Sequence, residues 1–441
     1  MPAALVDRLR TALGAPHVLT GIELSPYVVD GRTPEAAVFP GSVSEVSAVV
    51  RLAAEASVSI LPWGGGTASG VGAPPAAPGI VLGLSRMNRL LEHEPGDLTA
   101  TVEAGMTFAA LQAALRAKGQ WLSLDPPQPE RATVGGVIAA DASGPRRQLY
   151  GTARDLLIGA AVVTADGAVV HGGGKVVKNV AGYDLPKLFI GSYGTLGVLV
   201  ELTVKLRPLP DAERLVTLVF DRMKDCGAAV RAVLGSDLIP NALEVLDATS
   251  SAAVGLPASP VLVVGFDGLS EQIDWQVREL AALVKPLGGR EEGGACAPLD
   301  PGLWTRLAGA ARQACPVPAA VMRSSVLPSM VADTIEHGAG AARQRGLASA
   351  WAAHAGVGLV TGVLSGAQVE PAATVAGVLA EWRAFARAGG GHASLTWAPL
   401  AVKAQLPAWD DAGPAGRIMR RIKEQLDPAH VFNPGRFVAG I

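Results

Sequence analysis

The sequence predicts an α+β protein built from two domains, and three observations support this fold class. The chain has 441 residues, more than one ordinary hydrophobic core holds. Short apolar runs typical of strands alternate with helical patterns up to the Pro-rich segment Arg207–Pro210, which is typical of a domain boundary. A second α+β pattern follows that segment. We therefore place an N-terminal helix and linker at 1–28, a first domain at 29–210 and a second domain at 211–441.

Start and stop signals position the elements within each domain. Ser42 with Glu45 resembles a capping box before a helix, and Thr107 is the predicted cap of a helix that stops at Gly119. Strands of the first domain are predicted at 58–61, 80–84, 99–103, 156–164, 168–171 and 196–206. The second domain is predicted to contain strands at 214–220, 242–247 and 260–266, and helices at 226–234, 272–286 and 329–345.

Composition excludes several classes of protein. The net charge is -2 and no long run of one sign occurs, so the sequence does not predict a nucleic-acid surface. The three cysteines, Cys226, Cys296 and Cys315, have neither zinc nor iron–sulfur spacing, and we predict no metal site. Neither a secretory signal nor a membrane-spanning stretch is recognisable, so we expect a cytoplasmic protein.

A glycine-rich segment at 62–70 directly follows a predicted strand. Its three consecutive glycines allow a close approach of the backbone to a ligand, and successive amide N–H groups can converge on an anion such as a diphosphate. The segment has neither the GK[ST] ending of a P-loop nor the GxGxxG spacing of a dinucleotide-binding helix, so a nicotinamide site is not predicted. A plain flexible turn is the alternative interpretation.

Four motifs in order give the chain a family resemblance. They are the glycine segment at 62–70, the run Ala132–Ala140, the segment Ala142–Arg147 and the run Gly191–Val198. In this combination the chain resembles the FAD-binding family of vanillyl-alcohol oxidase and p-cresol methylhydroxylase (PCMH). The resemblance implies a PCMH-type FAD-binding domain of two subdomains, followed by an α+β cap domain with an antiparallel sheet.

Within that family, Ser143–Arg147 and Lys178–Asp184 resemble the smaller, FAD-binding (E) subunits of glycolate oxidases. The ending with Phe432-Asn-Pro-Gly435 resembles the C-terminus of both glycolate oxidase subunit types, and it implies a segment that returns to the flavin.

The resemblance also implies the cofactor contacts. The diphosphate would be held by Gly64, Gly65, Gly66, Thr67, Ser69 and Gly70, while the flavin and diphosphate would be lined by Pro126, Thr133, Gly135, Gly136 and Ala139. Ser143 and Gly144 would contact the chain between the ring and the phosphates, Val198 the adenine end, and Asn433 the isoalloxazine. Some family members bind flavin covalently through a histidine beside the glycine loop. Positions 64–70 contain none, so we expect non-covalent FAD.

The sequence matches the family's catalytic motifs only in part. Catalytic glycolate and D-lactate relatives carry an HxGDGNxH motif and an EHG motif, whose histidines bind a metal or draw the hydroxyl proton. Here His354 lacks the acidic residue and second histidine, and His392 lacks its glutamate. Arg323 is a candidate for binding a carboxylate through two hydrogen bonds, with a structural ion pair as the alternative.

The remaining arginine, lysine, tryptophan and histidine residues of interest are not assigned to a catalytic role. Arg147 and Lys178 would contact either flavin or a neighbouring subunit. Core positions are expected for Trp63 and Trp121, and structural or surface positions for His17, His93, His171 and His430.

Three functions remain open from the sequence. By resemblance, the leading one is an FAD-binding subunit of a glycolate oxidase complex, which oxidises glycolate or D-lactate with a larger catalytic flavin subunit and an iron–sulfur subunit as partners. Electrons would pass through the flavin to the iron–sulfur subunit, and the complex would give peripheral attachment to the inner membrane. The alternatives are a self-sufficient 2-hydroxy-acid dehydrogenase and a structural subunit with a vestigial flavin site.

Overall fold

The computed structural model describes residues 3–76, 79–175, 184–292, 302–366 and 371–441. Lys178, most of the predicted run Lys178–Asp184, and Cys296 lie outside these described residues. Within the described ranges, no helix combines the length and the apolar character needed to cross a bilayer.

The N-terminal part contains a four-stranded sheet, a five-stranded sheet, a separate pair of short strands, and the helices that pack on them. Its helices are α1 (Ala3–Leu13), α2 (Val43–Glu55), α3 (Phe108–Arg116), α4 (Val134–Ala139), α5 (Arg147–Tyr150), α6 (Ala153–Leu156) and α7 (Pro186–Phe189). Its strands are β1 (Val18–Leu19), β2 (Ala36–Val38), β3 (Ile60–Trp63), β4 (Ile80–Gly83), β5 (Leu90–Glu94), β6 (Thr99–Glu103), β7 (Gln120–Trp121), β8 (Leu157–Val163), β9 (Val169–Gly173), β10 (Val198–Lys205) and β11 (Arg207–Pro208).

The C-terminal part is organised around one large sheet. Its strands are β12 (Ala212–Val219), β13 (Ala242–Leu246), β14 (Val261–Gly268), β15 (Arg290–Glu292), β16 (Ala320–Ser325), β17 (Ala348–His354), β18 (Leu359–Ser365) and β19 (His392–Trp397). Its helices are α8 (Met223–Leu234), α9 (Ala248–Ala253), α10 (Ser270–Val284), α11 (Leu303–Ala308), α12 (Ala310–Ala314), α13 (Val331–Gln344), α14 (Ala372–Ala388), α15 (Leu400–Lys403) and α16 (Ala415–Leu426).

The sheets have different strand directions. The first has the order β1-β2-β4-β3, with β2, β4 and β3 parallel, and the second has the antiparallel order β5-β6-β10-β8-β9. The large sheet is antiparallel with the order β15-β12-β14-β13-β17-β18-β16-β19. The α+β class and the antiparallel sheet of the second half are therefore confirmed.

The buried side chains form separate clusters in the two parts. One cluster joins the N-terminal sheets, runs along the chain to Leu206 and also takes in Val431 and Phe432. Two others lie on opposite faces of the large sheet and begin near Val216. The domain boundary at 210 stays a prediction, and this change of clusters is compatible with it.

The end of the chain leaves the large sheet and returns to the N-terminal part. The Ile60 amide donates to the Val431 carbonyl at 2.6 Å, and the Asn433 amide donates to the Ile60 carbonyl at 2.9 Å. Lys423, on α16, fixes this return because its Nζ donates to the carbonyls of Thr195 at 2.7 Å and Phe432 at 2.8 Å. Residues 431–433 thereby lie beside β3, directly before the glycine segment.

Candidate functional site

A cleft, which we call the cofactor cleft, opens where strands of the four-stranded and five-stranded N-terminal sheets end. The first sheet contributes residues at the ends of β3 and β4, and the second contributes residues at the end of β6 and the start of β10. The predicted residues that line it are Gly64, Gly65, Gly66, Thr67, Ser69, Thr133, Gly135, Gly136, Ala139, Val198 and Asn433. Residues predicted from four separate segments are thus brought together around one cavity.

The glycine segment presents free backbone donors to this cleft. Within the hydrogen bonds of the described residues, no backbone N–H of residues 65–70 has a partner, and these residues are mostly half-buried. Partly buried amides without partners are costly unless an anion or water accepts from them. The segment therefore has the donors that a diphosphate requires.

Two glycine-containing segments interlock to shape the cleft. The Thr133 hydroxyl caps α4 by accepting from the Gly136 amide at 3.1 Å, and Arg131 donates to the Gly65 carbonyl at 3.2 Å. A Cβ atom at Gly65 would overlap the Arg131 carbonyl oxygen, and one at Gly64 would overlap the Thr133 hydroxyl. Glycine at 64 and 65 is therefore needed for packing between the segments as well as for access to a ligand.

Buried polar atoms without protein partners also face the cavities. Asn433 donates to the Tyr193 carbonyl at 2.9 Å, while its side-chain oxygen has no partner among the described residues. The Ser143 hydroxyl is likewise buried and unpartnered within the described part. Both Tyr193 and Asn433 have positive φ angles, 50° and 42°, a strained conformation that occurs often at ligand sites. These features fit a bound FAD, whose polar groups would complete the hydrogen bonding.

A second cavity, which we call the reaction chamber, continues from the cofactor cleft. The two share residues 66–69 together with Gly136 and Tyr193. The chamber also contains the predicted Gly70, Pro126 and Ser143, and its far wall is one face of the large sheet. The sheet contributes Glu244 from β13, His354 from β17, Thr361 from β18, and Arg323 from β16.

His354 and Glu244 form a pair in this wall. The Nδ1 atom of His354 lies 2.8 Å from each carboxylate oxygen of Glu244, whose side chain is only 1% exposed. Burial raises the pKa of Glu244, and the neighbouring His354 opposes that shift. Glu244 was not predicted from the sequence, although a charged residue inside the apolar strand Ala242–Leu246 was a usable signal.

Arg323 lies on the same face of the sheet and forms no ion pair with any described residue, although Asp141 lies in its electrostatic neighbourhood. Its Nε is buried and unpartnered among the described residues, and it pairs in register with Thr361. Thr361 is also the partner of Ala352, two residues before His354. From strand spacing, the Cα atoms of Arg323 and His354 are about 12 Å apart. Their side chains can therefore approach the two ends of one small molecule.

Several predicted residues are placed elsewhere. His392 is exposed at the start of β19 and does not line the chamber, so a role at this cavity is not supported. Gly144 lines neither cavity, and a Cβ there would overlap the Asp125 carbonyl, so close packing requires glycine here while its contact with FAD stays a prediction. Trp121 is buried as predicted, whereas Trp63 is only half-buried because it lines the cofactor cleft.

Arg146 and Arg147 have different surroundings. Arg146 is buried between the rings of Trp121 and Trp304 and pairs with Asp125 and Glu213. Burial lowers the pKa of Arg147, which lies in the electrostatic neighbourhood of Arg323 and Glu244. Among the described residues, no group of three or more His, Cys, Asp or Glu could hold a metal ion.

Two family models match the chain in tandem. The FAD binding domain matches residues 34–173, and the C-terminal domain of the FAD linked oxidases matches residues 209–437, more than half of the chain. The chain therefore belongs to the FAD-linked oxidases, and its FAD binding domain gives FAD as the cofactor.

Similar proteins of known sequence cover the chain in part. It is 35% identical to glycolate oxidase subunit GlcD of Bacillus subtilis over 260 residues. This match covers 57% of this chain and 55% of that protein. A D-2-hydroxyglutarate dehydrogenase of Xanthomonas citri is 40% identical over 204 residues, which are 46% of this chain and 43% of that protein. A D-lactate dehydrogenase of Archaeoglobus fulgidus is 37% identical over 226 residues, which are 51% of this chain and 50% of that protein. The chain spans about half the length of these relatives.

Solved structures match over nearly the whole chain. p-Cresol methylhydroxylase superimposes with a TM-score of 0.79 at 20% identity, over 99% of this chain and 96% of that chain. Alkyldihydroxyacetonephosphate synthase superimposes with a TM-score of 0.75 at 18% identity, over 99% of this chain and 86% of that chain. The predicted PCMH-type fold is confirmed.

Proposed function

We propose that this chain uses FAD to oxidise a small 2-hydroxy acid, such as glycolate or D-lactate, to the 2-oxo acid. One observation carries the proposal: the His354–Glu244 pair shares a chamber with Arg323, whose Nε has no partner among the described residues, and this chamber continues into the cofactor cleft. A base and a carboxylate-binding group are the two functions that such a substrate needs. The names of the three relatives, glycolate oxidase, D-lactate dehydrogenase and D-2-hydroxyglutarate dehydrogenase, support the same substrate class.

In the proposed reaction, the substrate loses two electrons and two protons as its C2–OH becomes a C2 carbonyl. Bound FAD supplies the acceptor for the hydride that leaves C2. Arg323 binds the carboxylate and fixes the orientation of C2. The Nε2 atom of His354 takes the hydroxyl proton as the carbonyl forms, and Glu244 on Nδ1 stabilises the resulting positive charge.

We further propose that the chain works as the FAD-binding subunit of a glycolate oxidase complex at the inner membrane. Its partners would be a larger catalytic flavin subunit and an iron–sulfur subunit, as the resemblance of the Ser143–Arg147 segment implies. The sequence has only three cysteines without cluster spacing, so iron–sulfur ligands would come from a partner. The self-sufficient dehydrogenase differs because it would turn over with a simple acceptor and no partner.

Anaerobic reduction of the purified, FAD-loaded chain tests the proposal. We expect glycolate or D-lactate to bleach the visible flavin bands in a single turnover, and H354Q to slow this step by roughly 10²- to 10⁴-fold. The exposed His392 provides the matched control, since H392Q should leave the rate unchanged. A flavin that neither acid reduces would contradict oxidation by this chain alone and would leave the subunit that needs its catalytic partner, or the structural subunit. Equal rates in H354Q and the parent chain would remove His354 from the mechanism.

A further inference from the structure

Two buried, positively charged side chains of the C-terminal part bind the end of the glycine segment and the residues that follow it, at 69–73. Lys403, on α15, donates through Nζ to the carbonyls of Gly70 at 2.8 Å and Gly72 at 3.0 Å. Arg436, beyond α16, donates to the carbonyls of Ser69 at 2.6 Å, Val71 at 3.0 Å and Ala73 at 3.1 Å. The five successive carbonyls of residues 69–73 are thus bound alternately by the two side chains.

The two cations differ in how their charge is balanced. Lys403 contacts both carboxylate oxygens of Asp30 at 2.8 Å, and the two side chains are 1% and 4% exposed. Arg436 is 9% exposed and forms no ion pair with any described residue. Burial lowers the pKa of Arg436, and the nearby Asp30, which is already paired with Lys403, opposes that shift only in part.

Arg436 lies where an anion would compensate it. Its side chain lines the cofactor cleft together with the loop residues whose backbone N–H groups have no partner among the described residues. A buried charge without a counter-charge is strongly unfavourable, so an anion on this side of the cleft would stabilise both the charge and the free amides. FAD carries a diphosphate between its adenosine and flavin halves.

We propose that Arg436 is a positioning residue for the FAD diphosphate: it supplies the counter-charge behind the loop and holds its carbonyls turned away from the cleft. The Lys403–Asp30 pair is electrically neutral and contributes loop geometry alone. Cofactor binding therefore depends on a side chain from the C-terminal end of the chain, 367 positions from the loop residue Ser69.

Flavin binding to the full-length apoprotein tests the assignment by comparing R436K with R436Q. Both variants keep a polar side chain, but only R436K keeps the charge. Followed by flavin fluorescence, the dissociation constant for FAD should rise at least tenfold more in R436Q than in R436K, a difference of about 1.4 kcal/mol. The affinity for riboflavin, which has no diphosphate, should differ by no more than about twofold between the two.

A buried arginine elsewhere provides the control. Arg383 is 5% exposed and pairs with Asp410 in the C-terminal part, so R383Q should lower the free energy of unfolding without changing the FAD affinity. Equal FAD affinities in R436Q and R436K would overturn the proposal. A parallel loss of FAD and riboflavin binding would also overturn it, because Arg436 would then serve loop folding alone.

Discussion

At the scale of single residues, the partner of one imidazole nitrogen determines what the other can do. Glu244 contacts Nδ1 of His354 through both oxygens, which favours a proton on Nδ1 and leaves Nε2 to accept one. A carboxylate in this position also stabilises the imidazolium formed when Nε2 takes the substrate proton. In the proposed mechanism Glu244 would act through His354, and the pair would supply a base where the longer histidine motif is incomplete.

Replacing Glu244 by glutamine should separate catalysis from binding. E244Q keeps the volume and one hydrogen bond but removes the negative charge, so the flavin reduction rate should fall roughly tenfold or more. The substrate dissociation constant should stay within about twofold, because the proposal assigns carboxylate binding to Arg323. Stopped-flow reduction over a range of glycolate concentrations measures both values.

A second histidine–glutamate pair offers a matched control. His337 and Glu381 lie 3.7 Å apart on α13 and α14, away from the residues that line the chamber, with Glu381 37% exposed. E381Q should therefore leave both the flavin reduction rate and the substrate dissociation constant unchanged. Weaker substrate binding in E244Q at an unchanged reduction rate would contradict the positioning role.

Sequence alone gave His354, His392 and Arg323 as candidates but could not choose between His354 and His392. The choice depends on the pairing of β13 with β17, which brings Glu244 to His354 across 110 positions. No local pattern encodes that pairing. The Ser143–Arg147 motif was also ambiguous, since only the folded chain shows Arg146 buried against Trp304 and Arg147 near the chamber.

At the scale of elements, the cofactor cleft depends on two segments packed backbone to backbone. The loop at 64–66 lies against residues 131–133, and Thr133 begins α4 at the same place. The glycines thus have two functions, which are close packing and access of amides to the ligand. Loss of either function would affect both stability and cofactor binding.

Adding one methyl group at Gly65 should show this coupling. G65A would press Cβ against the Arg131 carbonyl, so we expect a loss of about 1–3 kcal/mol in unfolding free energy, together with much weaker FAD binding. Urea unfolding and a flavin titration measure the two effects. G96A is the control, because a Cβ at Gly96 has no neighbour within 4 Å. Retention of FAD at full affinity in G65A would show that the segments can separate without loss of the site.

Caps and periodicity predicted many elements correctly. Ser42 and Thr107 cap α2 and α3 by accepting from the Glu45 and Ala110 amides, and Gly119 has a positive φ of 68°. The sequence did not predict α4, because its Gly135–Gly136 pair is typical of a loop. Its Thr133 cap and its packing under β10 stabilise the helix in spite of that composition. The strands β16 to β19 were also not predicted, since their pairing with distant neighbours decides them.

At the scale of the whole molecule, a buried polar network joins the N-terminal part to the large sheet. Arg146 binds Asp125 on its own side and Glu213 on the other, and Trp304 donates to Glu213 at 3.1 Å. Tyr150 donates to Asp267, on β14, at 2.7 Å. The reaction chamber is formed between these two parts, so the network fixes the distance from the cofactor cleft to His354.

The contact between Tyr150 and Asp267 should give this junction a measurable pH dependence. Burial, together with the hydrogen bond to Asp267, raises the pKa of Tyr150 above its ordinary value of 10.0. The phenol therefore contributes its full stabilisation below pH 10, and the contribution declines as the pH rises above that value. Y150F keeps the ring contacts with Trp121 and Arg207 but loses the hydrogen bond.

Urea unfolding at pH 7 should show Y150F to be less stable by about 1.5 kcal/mol, the lower end for a hydrogen bond to a charged group, because the phenol is only half-buried. The difference should shrink at a pH above 10. A double-mutant cycle with D267N isolates the pair, and its coupling energy should account for most of the loss. If the difference stayed constant above pH 10, or if the cycle showed no coupling, the Tyr150–Asp267 bond would not be what holds the two parts of the chain together at this point.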